Sequence, residues 1–121
     1  MAELHIIWQN STRTKVSKEA IEGHLTSVLR HLKRVDKVEV ELSLMTDKEI
    51  RALKQRFFGR NESTDVLSFP GDSVANVLTG SIAISIETAA KQAKQAGIEL
   101  IDELKMLSSH GLLHLLGYHH R

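Results

Sequence analysis

Apolar residues recur along this chain with two periods, and the switches between them mark its elements. Val38, Val40, Leu42 and Leu44 alternate with Glu39, Glu41 and Ser43, the period of two of a strand with one buried and one wet face. Leu4 to Trp8 is a shorter run containing Ile6, Ile7 and Trp8, long enough for a first strand and too short for a helix. Between them Ile21, Leu25, Val28, Leu29 and Leu32 repeat at helical spacing, which predicts an amphipathic helix over 17–34 with Ser17 as an incomplete capping signal. Thr46 and Asp47, followed by Glu49, are helix-start residues, and Ile50, Leu53 and Phe57 are expected to form the inner stripe of the next helix.

After a polar turn at Asn61 to Ser63, Val66-Leu67-Ser68-Phe69 reads as a third strand closed by Pro70 and Gly71, with a loop over 71–79. Ile82, Ile84 and Ile86 alternate with Ala83 and Ser85 in a fourth strand that runs into a helix near Glu87, and Gly97 suits the position after that helix. The last helix is expected to start near Glu99 and to turn Leu100, Leu104, Leu107, Leu113 and Met106 inward. The order β-α-β-α-β-β-α-α predicts an α+β fold in one domain over 1–121, a roughly four-stranded mixed sheet covered by about four helices. No repeat, low-complexity stretch or linker divides it.

Composition narrows the class without choosing a function. With 121 residues, 41% of them hydrophobic, one Pro and seven Gly, the chain can bury a real core, and disordered or fibrous classes are excluded. A formal charge of +1 neither announces nor excludes a nucleic-acid partner. The absence of cysteine excludes a disulfide scaffold and fits a reducing compartment. No apolar run approaches the ~18 residues of a membrane span, and the first residues lack the basic and apolar regions of a secretory signal. The expectation is a cytoplasmic protein with no membrane partner.

The chemistry concentrates in the last twelve residues, where four of the seven histidines lie. Imidazole is a poor core filler unless both ring nitrogens are satisfied. His110 and His114 are four apart, so a helix places them one turn above the other on one face, and Gly117 can turn the chain back so that His120 approaches the same point. Three neutral imidazoles with an open fourth position describe a catalytic zinc site, Zn2+ at about one per chain, better than a closed structural one. His5, His24 and His31 read as surface or satisfied residues, and His119 as a surface neighbour of a ligand.

Two segments, Thr64-Asp65-Val66-Leu67-Ser68-Phe69-Pro70 and His110 through His120, resemble the signatures of the YbeY family of metal-dependent bacterial endoribonucleases. Gly80 to Ser85 resembles a third family segment less closely. The resemblance implies a zinc-dependent, single-strand endoribonuclease acting in ribosomal RNA maturation and ribosome quality control, with His110, His114 and His120 as metal ligands. Single-stranded RNA, ribosomal RNA or the small ribosomal subunit would be its partners. It also places Ser81 and Ser85 near the metal. The family's characteristic arginine falls on Phe58, so phosphate binding passes to the flanking Arg56 and Arg60, and His119 stands where the family has Asp.

Two other readings use the same residues. The spacing His-x-x-x-His-x-x-Gly-x-x-His is that of metzincin peptidases, which place a general-base Glu after the first histidine, where this chain has Gly111. A ribosome- or RNA-associated module, in which zinc staples the C-terminus without catalysis, is the other. For Asp65, between Thr64 and Val66, a structural role is expected.

Overall fold

The alternating run around Val40 becomes the middle of the sheet. A computed structural model describes residues 3–32, 37–72, 74 and 76–117, with β1 (Glu3–Asn10), α1 (Lys18–Arg30), β2 (Lys37–Met45), α2 (Asp47–Phe58), β3 (Val66–Pro70), β4 (Val77–Ser85), α3 (Ile86–Ala96) and α4 (Leu100–Leu115). The sheet order is β1-β2-β4-β3. β2 is parallel to both β1 and β4, while β3 runs antiparallel along the outer edge of β4. The expected four-stranded mixed sheet and four helices are therefore present.

Side-chain alternation sorts the helices between the two faces. Val38, Val40, Leu42, Leu44, Ile82 and Ile84 join Ile21, Leu25 and Leu29 of α1, Ala89 of α3 and Leu104, Leu107 and Leu112 of α4 in the main core. Each fully buried Leu or Ile of this set contributes about 1.5–3 kcal/mol relative to exposure. The intervening positions serve a smaller cluster, in which Ala83 and Leu67 meet Ile50 of α2, with Met45, Leu53 and Phe69 around them. α2 thus covers the opposite face, and Ser43, expected on the wet side of β2, is buried.

Local signals account for the helix ends. Ser17 Oγ accepts the Ala20 N–H at 3.3 Å, so the cap forms without its reciprocal acidic residue. At α2 the capping box is complete: Thr46 Oγ1 accepts the Glu49 N–H and the Glu49 carboxylate accepts the Thr46 N–H. Gly97 closes α3 at φ 69°, where a side chain would be strained.

Several expectations need correction. Phe57 is 56% exposed, because α2 reaches the sheet through Ile50 and Leu53 and leaves Phe57 at its rim against Phe69. In α4 the inward stripe runs through Leu104, Leu107 and Leu112, which puts Met106 outside, and Leu113 is only half-buried. β4 starts at Val77, well before Ile82, since parallel pairing with β2 begins at Lys37↔Val77. Gly80 hid that strand from the pattern; it is small because a Cβ there would lie 2.8 Å from Leu115 Cδ2 and 2.9 Å from the Phe69 carbonyl oxygen. α1 ends at Arg30 instead of 34. Among the described residues no helix is long and apolar enough to cross a membrane.

Candidate active site

The C-terminal half of α4 lies unusually close to the β3–β4 edge, and a residue without a side chain allows it. A Cβ on Gly111 would stand 2.8 Å from Ile82 Cγ2 and 3.1 Å from Ser68 Oγ. Ser68 Oγ donates a hydrogen bond to the Gly111 carbonyl at 3.2 Å, tying the helix to the strand at that level. Gly111 and Leu112 are buried, whereas His110 and His114, on the flank of the same turn, are exposed.

Both histidines border one cleft of about 350 Å³, lined by Val66, Leu67 and Ser68 of β3, by Gly111, and by Phe58 from the end of α2. This volume falls in the range of small-molecule sites. The spacing of four expected for a ligand pair is thus realised on a helix face that looks into a cavity. Gly117 adopts φ 92°, the left-handed conformation expected of the residue that turns the chain out of α4. His120, with His119 and Arg121, lies outside the described residues. Among the described residues no group of three His, Cys, Asp or Glu converges as a metal site. Among the described residues that line the cleft, the donor set of two imidazoles one turn apart fits the nitrogen chemistry of zinc.

Arg56 and Arg60 lie on either side of Phe58 at the end of α2 and in the residues after it. Arg56 sits over the Phe57 ring, 5.4 Å from its centroid, and Arg60 reaches Glu62 at 3.7 Å. Lys54 holds the same carboxylate at 3.0 Å, which keeps the Glu62 carboxyl below its usual range. Neither arginine is among the residues that line the histidine cleft; Phe58 is.

The two serines implied to stand near the metal serve elsewhere. Ser81 borders a separate groove on the α2 face, with Glu41, Met45, Phe57 and Phe69. Ser85 is fully buried, caps α3 by accepting the Thr88 N–H, and donates its hydroxyl to Asp47 Oδ1. The same oxygen accepts Thr88 Oγ1 at 2.6 Å and Ser63 Oγ at 3.2 Å. Hydrogen bonds from Ser85 and then Thr88 hold the Asp47 carboxyl below the usual carboxylate range, against a smaller opposing effect of burial. Asp65 is structural as expected: Oδ1 accepts the Val66 N–H at 2.8 Å and Oδ2 accepts Gln92 Nε2 at 3.3 Å, joining the start of β3 to α3. The Asp47 cluster went unread in the sequence, although an acidic residue after the cap residue Thr46 was a signal for it. The contact between Ser68 and Gly111 had a weaker signal, a lone hydroxyl inside an apolar strand.

The sequence profile described as endoribonuclease YbeY matches residues 6–121. The endoribonuclease YbeY of Nautilia profundicola is 48% identical over 82 residues, covering 68% of this chain and 59% of that protein. Those of Deinococcus radiodurans and Syntrophus aciditrophicus are 40% and 44% identical, covering 85% and 89% of this chain and 68% and 70% of theirs. The chain therefore spans about three fifths to seven tenths of the length of these relatives. A Thermotoga maritima protein solved in solution superposes with a TM-score of 0.67 at 27% identity, over 96% of this chain and 75% of its own. With the profile running from the first strand to the last residue, and relatives at these identities, the chain belongs to the endoribonuclease YbeY family.

Proposed function

We propose that this protein is a zinc-dependent endoribonuclease that cuts single-stranded RNA, acting on ribosomal RNA during maturation and quality control of the small ribosomal subunit in the cytoplasm. The observation that carries the reading is the pairing of His110 and His114 on one wall of a cleft built by α4 and β3, in a chain of this family. His110 and His114, with His120, would hold the ion. A zinc held by three neutral imidazoles would supply Lewis acidity and lower the pKa of a water to about 7.

The chain's own residues supply the rest. Gly111 lets α4 approach the strand, and the Ser68 hydroxyl fixes the height of the two imidazoles over β3. Arg56 and Arg60, at the Phe58 side, bring positive charge to the end of α2 for the RNA backbone. A general-base carboxylate at position 111, which a peptidase would need, has no room against Ile82 and Ser68. Two nucleophiles suit the chemistry, water or the ribose 2′-hydroxyl, and the products separate them, since only the second gives a cyclic phosphate.

The test joins metal analysis to cleavage. The purified protein is expected to carry about one zinc per chain, and His114→Ala to lose both the metal and the cutting of a single-stranded oligoribonucleotide. A wild-type chain that takes up no zinc on titration, or that takes it up and leaves RNA intact, overturns the proposal.

A further inference from the structure

Phe58 is the cleft-lining residue that the histidine chemistry leaves unexplained. It is 52% exposed although it is the last residue of a helix whose apolar face has a sheet to cover, and burying a Phe is favourable. Its ring is not loose. It stacks on Phe69 with centroids 5.9 Å apart and planes inclined by 28°, and Phe57 braces Phe69 from a tilted position at 5.2 Å. One side of the Phe58 ring is thus supported while the side chain as a whole stays half exposed at the mouth of the histidine cleft.

A supported, exposed aromatic face beside a phosphate-directed site has the shape of a stacking platform for bases. Arg56, over the neighbouring Phe57 ring, and Arg60, two residues further on beside Glu62, carry positive charge at the same end of α2, which suits a nucleic acid better than an apolar peptide. A base inside a duplex has both faces occupied by its neighbours; only an unpaired one can give a face to a protein ring. We infer that Phe58, backed by Phe69, stacks an unpaired base next to the phosphate presented to His110 and His114, and that this contact selects single-stranded over paired RNA. The inference rests on the endoribonuclease reading and assigns its strand specificity to one side chain.

The experiment compares the zinc-loaded wild type with Phe58→Tyr, Phe58→Leu and Phe58→Ala. The substrate is a single-stranded oligoribonucleotide carrying 2-aminopurine, free or annealed to its complement. Wild type and Phe58→Tyr are expected to quench the probe on rapid mixing. Phe58→Leu, which keeps apolar contact with Phe69 but has no ring, is expected not to quench. Its KM, and that of Phe58→Ala, should rise by about 5- to 150-fold, the equivalent of ~1–3 kcal/mol per stacked base, and the preference for the single strand should shrink in step. Zinc content and melting temperature of Phe58→Leu should stay near wild type, because the residue is half exposed. Unchanged quenching, KM and strand preference in Phe58→Leu overturn the stacking inference alone. A wild type that neither quenches nor cleaves overturns it together with the endoribonuclease reading.

Discussion

Replacing Gly111 by Ala tests whether the site depends on close approach of helix and strand. The added Cβ would lie 2.8 Å from Ile82 Cγ2, 3.2 Å from Ile82 Cδ1 and 3.1 Å from Ser68 Oγ. Comfortable carbon contacts begin near ~3.5 Å, so α4 must retreat by about 0.7 Å at this turn or Ile82 must move. Ile82 is fully buried and has nowhere to go. Overpacking of this kind costs about 1–3 kcal/mol, and the helix preference of Ala over Gly offsets up to ~1 kcal/mol of it. A net loss of about 1–2 kcal/mol follows, equivalent to a drop of roughly 3–10 °C in melting temperature for a domain of this size. The retreat also stretches the Ser68 to Gly111 hydrogen bond, so zinc affinity should fall with stability. The decisive assay is a double-mutant cycle with Ile82→Ala, followed by thermal unfolding and zinc titration. Ile82→Ala alone should cost about 2–5 kcal/mol, and the new methyl should partly fill the space it leaves, giving a favourable coupling of about 1 kcal/mol or more. A Gly111→Ala protein at least as stable as wild type, with additive energies in the cycle, would refute the argument.

Other outcomes follow from single features. Thr46→Ala removes half of the capping box and is expected to cost about 1 kcal/mol, measured by urea unfolding. The Asp47 carboxyl is held below its usual range in the fold, so its contribution is present above the ordinary Asp value of about 4 and is lost as pH falls through the lower folded value. Asp47→Asn should therefore be destabilised near neutral pH and should show a flatter loss of melting temperature as pH falls below about 4 than wild type. Gly117→Ala meets no atoms of the described residues within 4 Å yet forces a side chain into φ 92°. A cost of about 1 kcal/mol is expected, with zinc affinity falling further than a global loss of that size explains, as read by competition with a chelator.

The sheet was legible where side chains alternate cleanly. Val38 to Leu44 could be nothing but a strand, and Ile50, Leu104 and Leu107 declared their inner faces by period alone. The start of β4 was not legible, because Gly80 is small to admit Leu115, and that neighbour lies far along the chain. Phe57 was misplaced for a related reason. Periodicity says which way a residue points, but not whether the sheet extends far enough to meet it. At the site, the spacing of His110 and His114 reported their shared face correctly. The third wall, Phe58, comes from an element about fifty residues away and carried no local sign of its neighbours.

The hydroxyl cluster at Asp47 has a consequence for the cleft on the far side of α2. The first residues of α2 and α3 converge there, and two helix N-termini brought together present like partial charges to each other. Each helix lends the other an anion: Glu87 of α3 accepts the Asp47 N–H at 2.8 Å, and the Asp47 carboxylate takes the hydroxyls of Ser85 and Thr88. This reciprocal exchange fixes the direction of a 12-residue axis, about 18 Å long, at the end opposite Phe58. Ile50 and Leu53 then hold the helix on the sheet along its length, and Phe58 at its last position lines the cleft. The position of Phe58 in the wall of the histidine cleft is thus supported from a polar junction at the other end of its helix.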